Sequence, residues 1–94
     1  MIAIELQVSN PSGIHMRPAA RFVETASRFR AKVTLENLDA GRRPVDAKSL
    51  LFVLTAGVVQ GQRIRIVADG PDEAEALQAL ADEVRGGLGE TSPS

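Results

Sequence analysis

Gln62-Arg63-Ile64-Arg65-Ile66-Val67-Ala68 alternates without a break: Ile64, Ile66 and Ala68 point one way, Arg63 and Arg65 the other. Period-two alternation is the mark of a strand buried on one face and wet on the other. A sheet built from such strands takes helices on one side only. Ile2 to Val8 repeats the pattern, with Ile2, Ile4, Leu6 and Val8 opposed to Ala3, Glu5 and Gln7, and Lys32-Val33-Thr34-Leu35-Glu36 repeats it again. Asn37 to Gly41 reads as a turn into a short strand over 42–46, and Pro44 confines that strand to an edge.

Between these strands the period changes to 3.6. Ala19, Phe22, Val23, Ala26 and Phe29 share one face, with Arg17, Arg21, Glu24, Thr25 and Arg28 on the other, which predicts an amphipathic helix from about Met16 to Phe29. Ala74, Leu77, Leu80, Ala81, Val84 and Leu88 form the stripe of a last helix, entered through Asp69-Gly70-Pro71-Asp72-Glu73 and frayed at Gly86-Gly87-Leu88-Gly89. The run Leu50-Leu51-Phe52-Val53-Leu54 is too uniform for periodicity to assign; Asp46 as a cap and Gly57 as a stop predict a short helix over 47–55. The expected order is β-α-β-β-α-β-α. The fold class is α+β, an open-faced two-layer sandwich of a four-stranded antiparallel sheet with three helices on one face. Residues 1–88 form the domain, and 89–94 are expected to be a flexible polar tail.

Composition narrows the functions available. Ninety-four residues with 44% hydrophobic and 24% charged content suffice for one core, and 11 basic against 12 acidic residues leave a net charge of −1. Such a balance gives no general attraction to nucleic acid or to an anionic membrane. The absence of cysteine removes disulfides and thiolate chemistry and fits a reducing compartment. No apolar run reaches the roughly 18 residues of a membrane span, and Met1 to Glu5 lacks the start of a secretory signal. A cytoplasmic chain is expected, with no cofactor and no metal.

One segment has the makings of chemistry. Gly13-Ile14-His15-Met16-Arg17-Pro18-Ala19-Ala20 contains the chain's single histidine. A lone histidine says little, but Pro18 fits the first turn of a helix, where its missing N–H costs nothing, and this places His15 at the N-cap. Nδ1 stands as far along the side chain as the capping oxygens of Asn and Asp, so it can face the free amides of the first turn. A phosphoryl group on that nitrogen would meet unpaired N–H donors and the positive end of the helix dipole. Arg17 adds a permanent multidentate cation, and Arg21 follows one turn later, where a solvated helix face is its simpler reading. Neutral imidazole is a competent nucleophile near pH 7. No second histidine, nucleotide loop or ligand cluster completes an enzyme, which points to a group carrier loaded and unloaded by other proteins.

These residues resemble the phosphohistidine motif of the HPr family, the histidine-containing phosphocarrier proteins of the bacterial phosphoenolpyruvate:sugar phosphotransferase system. The resemblance extends from residue 1 to about 88 and includes Lys48-Ser49, Thr55-Ala56-Gly57, Gln60-Gly61 and Ala68-Asp69-Gly70. It implies that His15 accepts a phosphoryl group from enzyme I and passes it to enzyme IIA proteins, with Arg17 stabilising the group and Ser12 and Pro18 supporting the anion site. It implies that Ser49 is the target of an HPr kinase/phosphorylase in hosts that have one. Met16, Ala20, Arg21, Leu50, Leu51, Leu54 and Thr55 are the expected partner-docking residues on a monomer. A nitrogen-branch regulatory phosphocarrier of the same fold is the alternative, since it would share the motif and differ in its partners.

Overall fold

The computed structural model describes residues 1–90. Strands β1 (Ile2–Gln7), β2 (Lys32–Asn37), β3 (Val45–Asp46) and β4 (Arg63–Asp69) alternate with helices α1 (Met16–Ser27), α2 (Leu50–Thr55) and α3 (Glu73–Arg85) in the expected order. All pairings are antiparallel and the sheet order is β1-β4-β2-β3, so β4 is central and β3 is an edge. Among the described residues no helix is long and apolar enough to cross a membrane.

Register explains why alternation is so clean on β4. Ile66 pairs with Ile4 on one side and Leu35 on the other, and Ala68 pairs with Ile2 and Val33. Ile64, Ile66, Ala68, Val33 and Leu35 are all fully buried beneath the helices. One residue out of phase, Arg65 lies between Glu5 and Glu36 and donates to both, at 2.9 and 3.3 Å. The wet face is therefore laced by a cross-strand ion ladder that opposes any one-residue slip in register. On the covered side Phe22 and Ala26 of α1 pack with Leu77, Leu80 and Val84 of α3 in one cluster over the sheet. Truncating the fully buried Phe22 to Ala would cost about 3–5 kcal/mol.

Several boundaries differ from the sequence reading, each for a local reason. Pro44 holds residues 42–44 off the sheet, and β3 shrinks to Val45–Asp46. Helix α2 starts at Leu50, not Ala47: Asp46 spends its carboxylate on the Lys48 amide at 2.9 Å, and Ser49 is the cap, accepting from the Phe52 amide at 3.4 Å. Gly57, at φ 62°, does end the helix. Helix α1 stops at Ser27, with Phe29 half-buried against the core just beyond it. In α3 the inward alanines are Ala76 and Ala81, and Ala74 faces solvent.

The glycine-rich turn after α3 is not frayed. Leu88 is 1% exposed and its amide donates to the Glu83 carbonyl at 2.8 Å, closing the turn against the core. Glu90, expected in the flexible tail, is hydrogen-bonded to the loop after β1, because the positive φ values of Gly87, Leu88 and Gly89 turn the chain back upon it. Residues 91–94 of the expected tail lie outside the described residues.

Candidate functional site

The loop from β1 to α1 is pinned from both sides before it reaches His15. The Gly13 amide donates to the Asn10 carbonyl at 3.1 Å and the Ile14 amide to the Val58 carbonyl at 3.0 Å. Gly13 takes φ 60°, and a β-carbon there would stand 2.3 Å from the Val58 oxygen. Only glycine allows the loop to run this close to the α2–β4 connection. Ile14 and Ala19 are fully buried and Pro18 is buried, so the half-buried His15 and the exposed Met16 and Arg17 bridge two anchored points.

His15 is the N-cap residue of α1, as its sequence context predicts, with an extended backbone at φ −133° and ψ 163°. Its side chain makes no capping hydrogen bond, so the ring does not spend itself on the first-turn amides. Met16 is next, at φ 58°, a left-handed conformation that costs a residue with a β-carbon about 1–2 kcal/mol. The first intrahelical bond is long, from the Ala19 amide to the His15 carbonyl at 3.4 Å, and Pro18 has no N–H. The amides of Met16 and Arg17 precede that bond and are the donors available to an anion. No acidic residue stands in the first turn of α1. Arg17 is exposed and forms no ion pair among the described residues. Two backbone donors, a helix start without acids and a guanidinium with no ion pair among the described residues thus lie within two positions of a histidine free of capping duty, an arrangement that can take a group carrying negative charge.

The remaining expected residues divide. Leu50, Leu51 and Leu54 are 44%, 69% and 38% exposed, and Phe52, outside the expected set, is 52% exposed; Val53 alone of the run is buried. With Met16 and Val59 they give the α1–α2 side an apolar surface, held near the site because the Ile14 loop is bonded to the α2–β4 connection. Ala20 is exposed on the same helix as Arg17. Thr55 is exposed, but its hydroxyl donates to the Phe52 carbonyl at 2.6 Å, inside α2. Arg21 is not held in reserve for an anion: its guanidinium binds the Glu83 carboxylate and ties α1 to α3. Ser49 is half-buried as the α2 cap.

Ser12 stands in the loop as expected, but its donors are occupied. Its hydroxyl donates to Glu90 Oε2 at 2.7 Å and its amide to Glu90 Oε1 at 3.0 Å. Sequence reasoning missed Glu90 and its second partner Asn10. Three glycines within Gly86-Gly87-Leu88-Gly89, ahead of an acid, were the available signal of a built turn. Hydrogen bonds from Asn10 and then Ser12 hold the Glu90 carboxyl below the usual carboxylate range.

Comparison with known proteins agrees with this geometry. A family model described as the PTS HPr component phosphorylation site matches residues 2–85. The chain is 40% identical over 82 residues to the phosphocarrier protein HPr of Xylella fastidiosa, covering 87% of this chain and 89% of that protein. It is 38% identical over 90 residues to the multiphosphoryl transfer protein of Salmonella typhimurium, 96% of this chain but 24% of that protein, so it spans about a quarter of such relatives. The crystal structure of HPr-C-His from Thermoanaerobacter tengcongensis superposes with a TM-score of 0.91 at 37% identity, covering 98% of this chain and 100% of that one. With a family match over nearly all the described residues and a histidine poised at an anion-ready helix start, the chain belongs to the HPr family of phosphocarrier proteins of the phosphotransferase system.

Proposed function

We propose that His15 takes a phosphoryl group from phosphorylated enzyme I and delivers it to enzyme IIA proteins in sugar uptake. The observation that supports this reading best is a histidine whose ring makes no capping bond, at a helix start where the Met16 and Arg17 amides and the Arg17 guanidinium have no partner among the described residues. In the loading step the Nδ1 lone pair forms the nitrogen–phosphorus bond while the bond from phosphorus to the donor breaks, and the donor keeps that electron pair. In the delivery step the roles reverse: His15 leaves and the acceptor's nucleophile bonds phosphorus. The chain is a carrier and not a catalyst in this account, since it contributes one reacting group and its own anion site while the partners contribute the rest. Arg17 stabilises charge on the transferred oxygens.

The apolar surface of Met16, Leu50, Leu51, Phe52 and Leu54 is the partner face in this reading, used by a single copy of the chain in the cytoplasm. Ser49 stands at its edge. In a host with an HPr kinase/phosphorylase, a phosphate on Ser49 would place a dianion beside Leu50 and Leu51 and oppose their burial against a partner. The direct test is phosphoenolpyruvate labelled with 32P, with and without enzyme I. Acid-labile label that needs enzyme I, is lost in His15→Ala and moves on to an enzyme IIA supports the proposal. Label that persists in His15→Ala rules it out.

A further inference from the structure

The turn after α3 brings an acid onto the acceptor loop. Gly87, Leu88 and Gly89 take φ values of 83°, 52° and 85°, three left-handed residues in succession. A β-carbon on Gly87 would stand 2.4 Å from the Glu90 carbonyl oxygen, so only glycine permits the return. Leu88 fixes the turn in the core independently of the Glu90 side chain. Glu90 then meets three donors: Asn10 Nδ2 at 2.9 Å and the Ser12 amide at 3.0 Å on Oε1, and the Ser12 hydroxyl at 2.7 Å on Oε2. Asn10 is fully buried, and Nδ2 also donates to the Gly13 carbonyl at 2.7 Å. The carboxylate, the Asn10 amide and the Gly13 carbonyl make one connected chain that ends two residues before His15.

We propose that Glu90 is a positioning residue for phosphoryl transfer: its carboxylate clamps residues 10–13 in the conformation that leads into His15 at the start of α1. The assignment rests on the reading of His15 as acceptor. The clamp acts on the loop and not on the core, because Leu88 and the α3 stripe are buried without it. Charge-assisted bonds to Ser12 and Asn10 are the kind that fix geometry, and phosphoryl transfer by a group without its own acid–base partner depends on geometry. Loss of the clamp therefore slows the transfer step more than it weakens docking, which uses the α2 surface, or folding.

The experiment measures kcat and KM of the full chain as a substrate of enzyme I, with melting temperature alongside, for Glu90→Ala, Glu90→Gln, Ser12→Ala and the Ser12→Ala/Glu90→Ala pair. Glu90→Ala is expected to lower kcat roughly threefold to tenfold with KM and melting temperature little changed. Glu90→Gln recovers part of the loss, since its amide oxygen still accepts from Ser12, and the double variant is no slower than Glu90→Ala because the two residues act as one unit. A Glu90→Ala kcat within about twofold of the unmodified chain overturns the assignment alone, since a misplaced reacting group costs more than that. A fall in rate matched by a fall in melting temperature, without rescue by Gln, also overturns it. No label on the unmodified chain overturns the acceptor reading, and this assignment with it.

Discussion

Helices α1 and α3 present the same electrostatic problem at their amino ends, and the chain treats them in opposite ways. At α3 it supplies its own anions: Glu73 and Glu75 stand in the first turn. Asp72 reaches across to the Arg30 and Ala31 amides at 2.9 and 2.8 Å, and Glu73 accepts from the Gly70 amide at 3.2 Å. At α1 there is no first-turn acid and the charge in that turn is the cation of Arg17; neither His15 nor Asp72 caps its own helix through its side chain, so what separates the two helix starts is the charge set beside them. In charge, the start of α3 is closed by the chain's own acids and the start of α1 is left open, a field that favours an anion there. The same dipole is offset by acids at one helix start and left without them at the other, and the difference is which charges the sequence sets beside it.

The comparison is broken most severely by removing the cation that distinguishes the open end. Arg17→Ala should slow phosphoryl transfer about tenfold or more, the worth of one or two charge-assisted bonds of ~1.5–3 kcal/mol. Its melting temperature should not change, since the exposed side chain has no ion pair to lose among the described residues; a matching fall in stability would make Arg17 structural. The surface beside the open end comes next. Leu51→Ser with Phe52→Ser removes two side chains that are 69% and 52% exposed, and should raise KM for enzyme I about fivefold at ~1 kcal/mol of interface contact, with kcat and melting temperature retained. An unchanged KM would place the partner face elsewhere.

A smaller effect is expected from making α1 resemble α3. Ala20→Glu adds an acid near the start of α1, and an exposed charge there is worth ~0.3–1 kcal/mol, so transfer should slow about twofold to fivefold and recover at high salt. Acceleration would contradict the comparison outright. The converse change at the closed end should leave transfer unaltered. Hydrogen bonding, first from the Arg30 amide and then from that of Ala31, holds the Asp72 carboxyl below its ordinary range. A carboxyl lowered by folding contributes stability that is present above its unfolded-state value and lost as pH falls through the folded-state value. Asp72→Asn should therefore lower the melting temperature at neutral pH and make the remaining stability less sensitive to acid, read by thermal melts from pH 7 downward.

How far the sequence revealed this depends on whether a residue's partner is near in the chain. Alternation on Ile64, Ile66 and Ala68 against Arg63 and Arg65 was legible because a one-sided sheet repeats every two residues. His15 was legible because Pro18 and Arg17 mark the helix start within three positions. The bounds of α2 were not, since five apolar residues in succession have no period, and only the exposure of four of them shows which way the helix faces. Ala74 and Ala76 were indistinguishable because both are small and apolar. The roles of Arg21 and Glu90 were out of reach for a different reason. Their partners, Glu83 and Ser12, lie 62 and 78 positions away, and although the glycines before Glu90 signal a turn, they do not say where it lands.

The central claim is that the open end of α1 exists to hold a phosphoryl group on Nδ1 of His15. Nitrogen-resolved NMR on chain labelled with 15N in its single histidine and phosphorylated by enzyme I and phosphoenolpyruvate tests it most directly. The account predicts coupling of phosphorus to Nδ1, with the Met16 and Arg17 amide protons shifting downfield as they take up the phosphoryl oxygens. Coupling of phosphorus to Nε2, with those two amides unmoved, would contradict it.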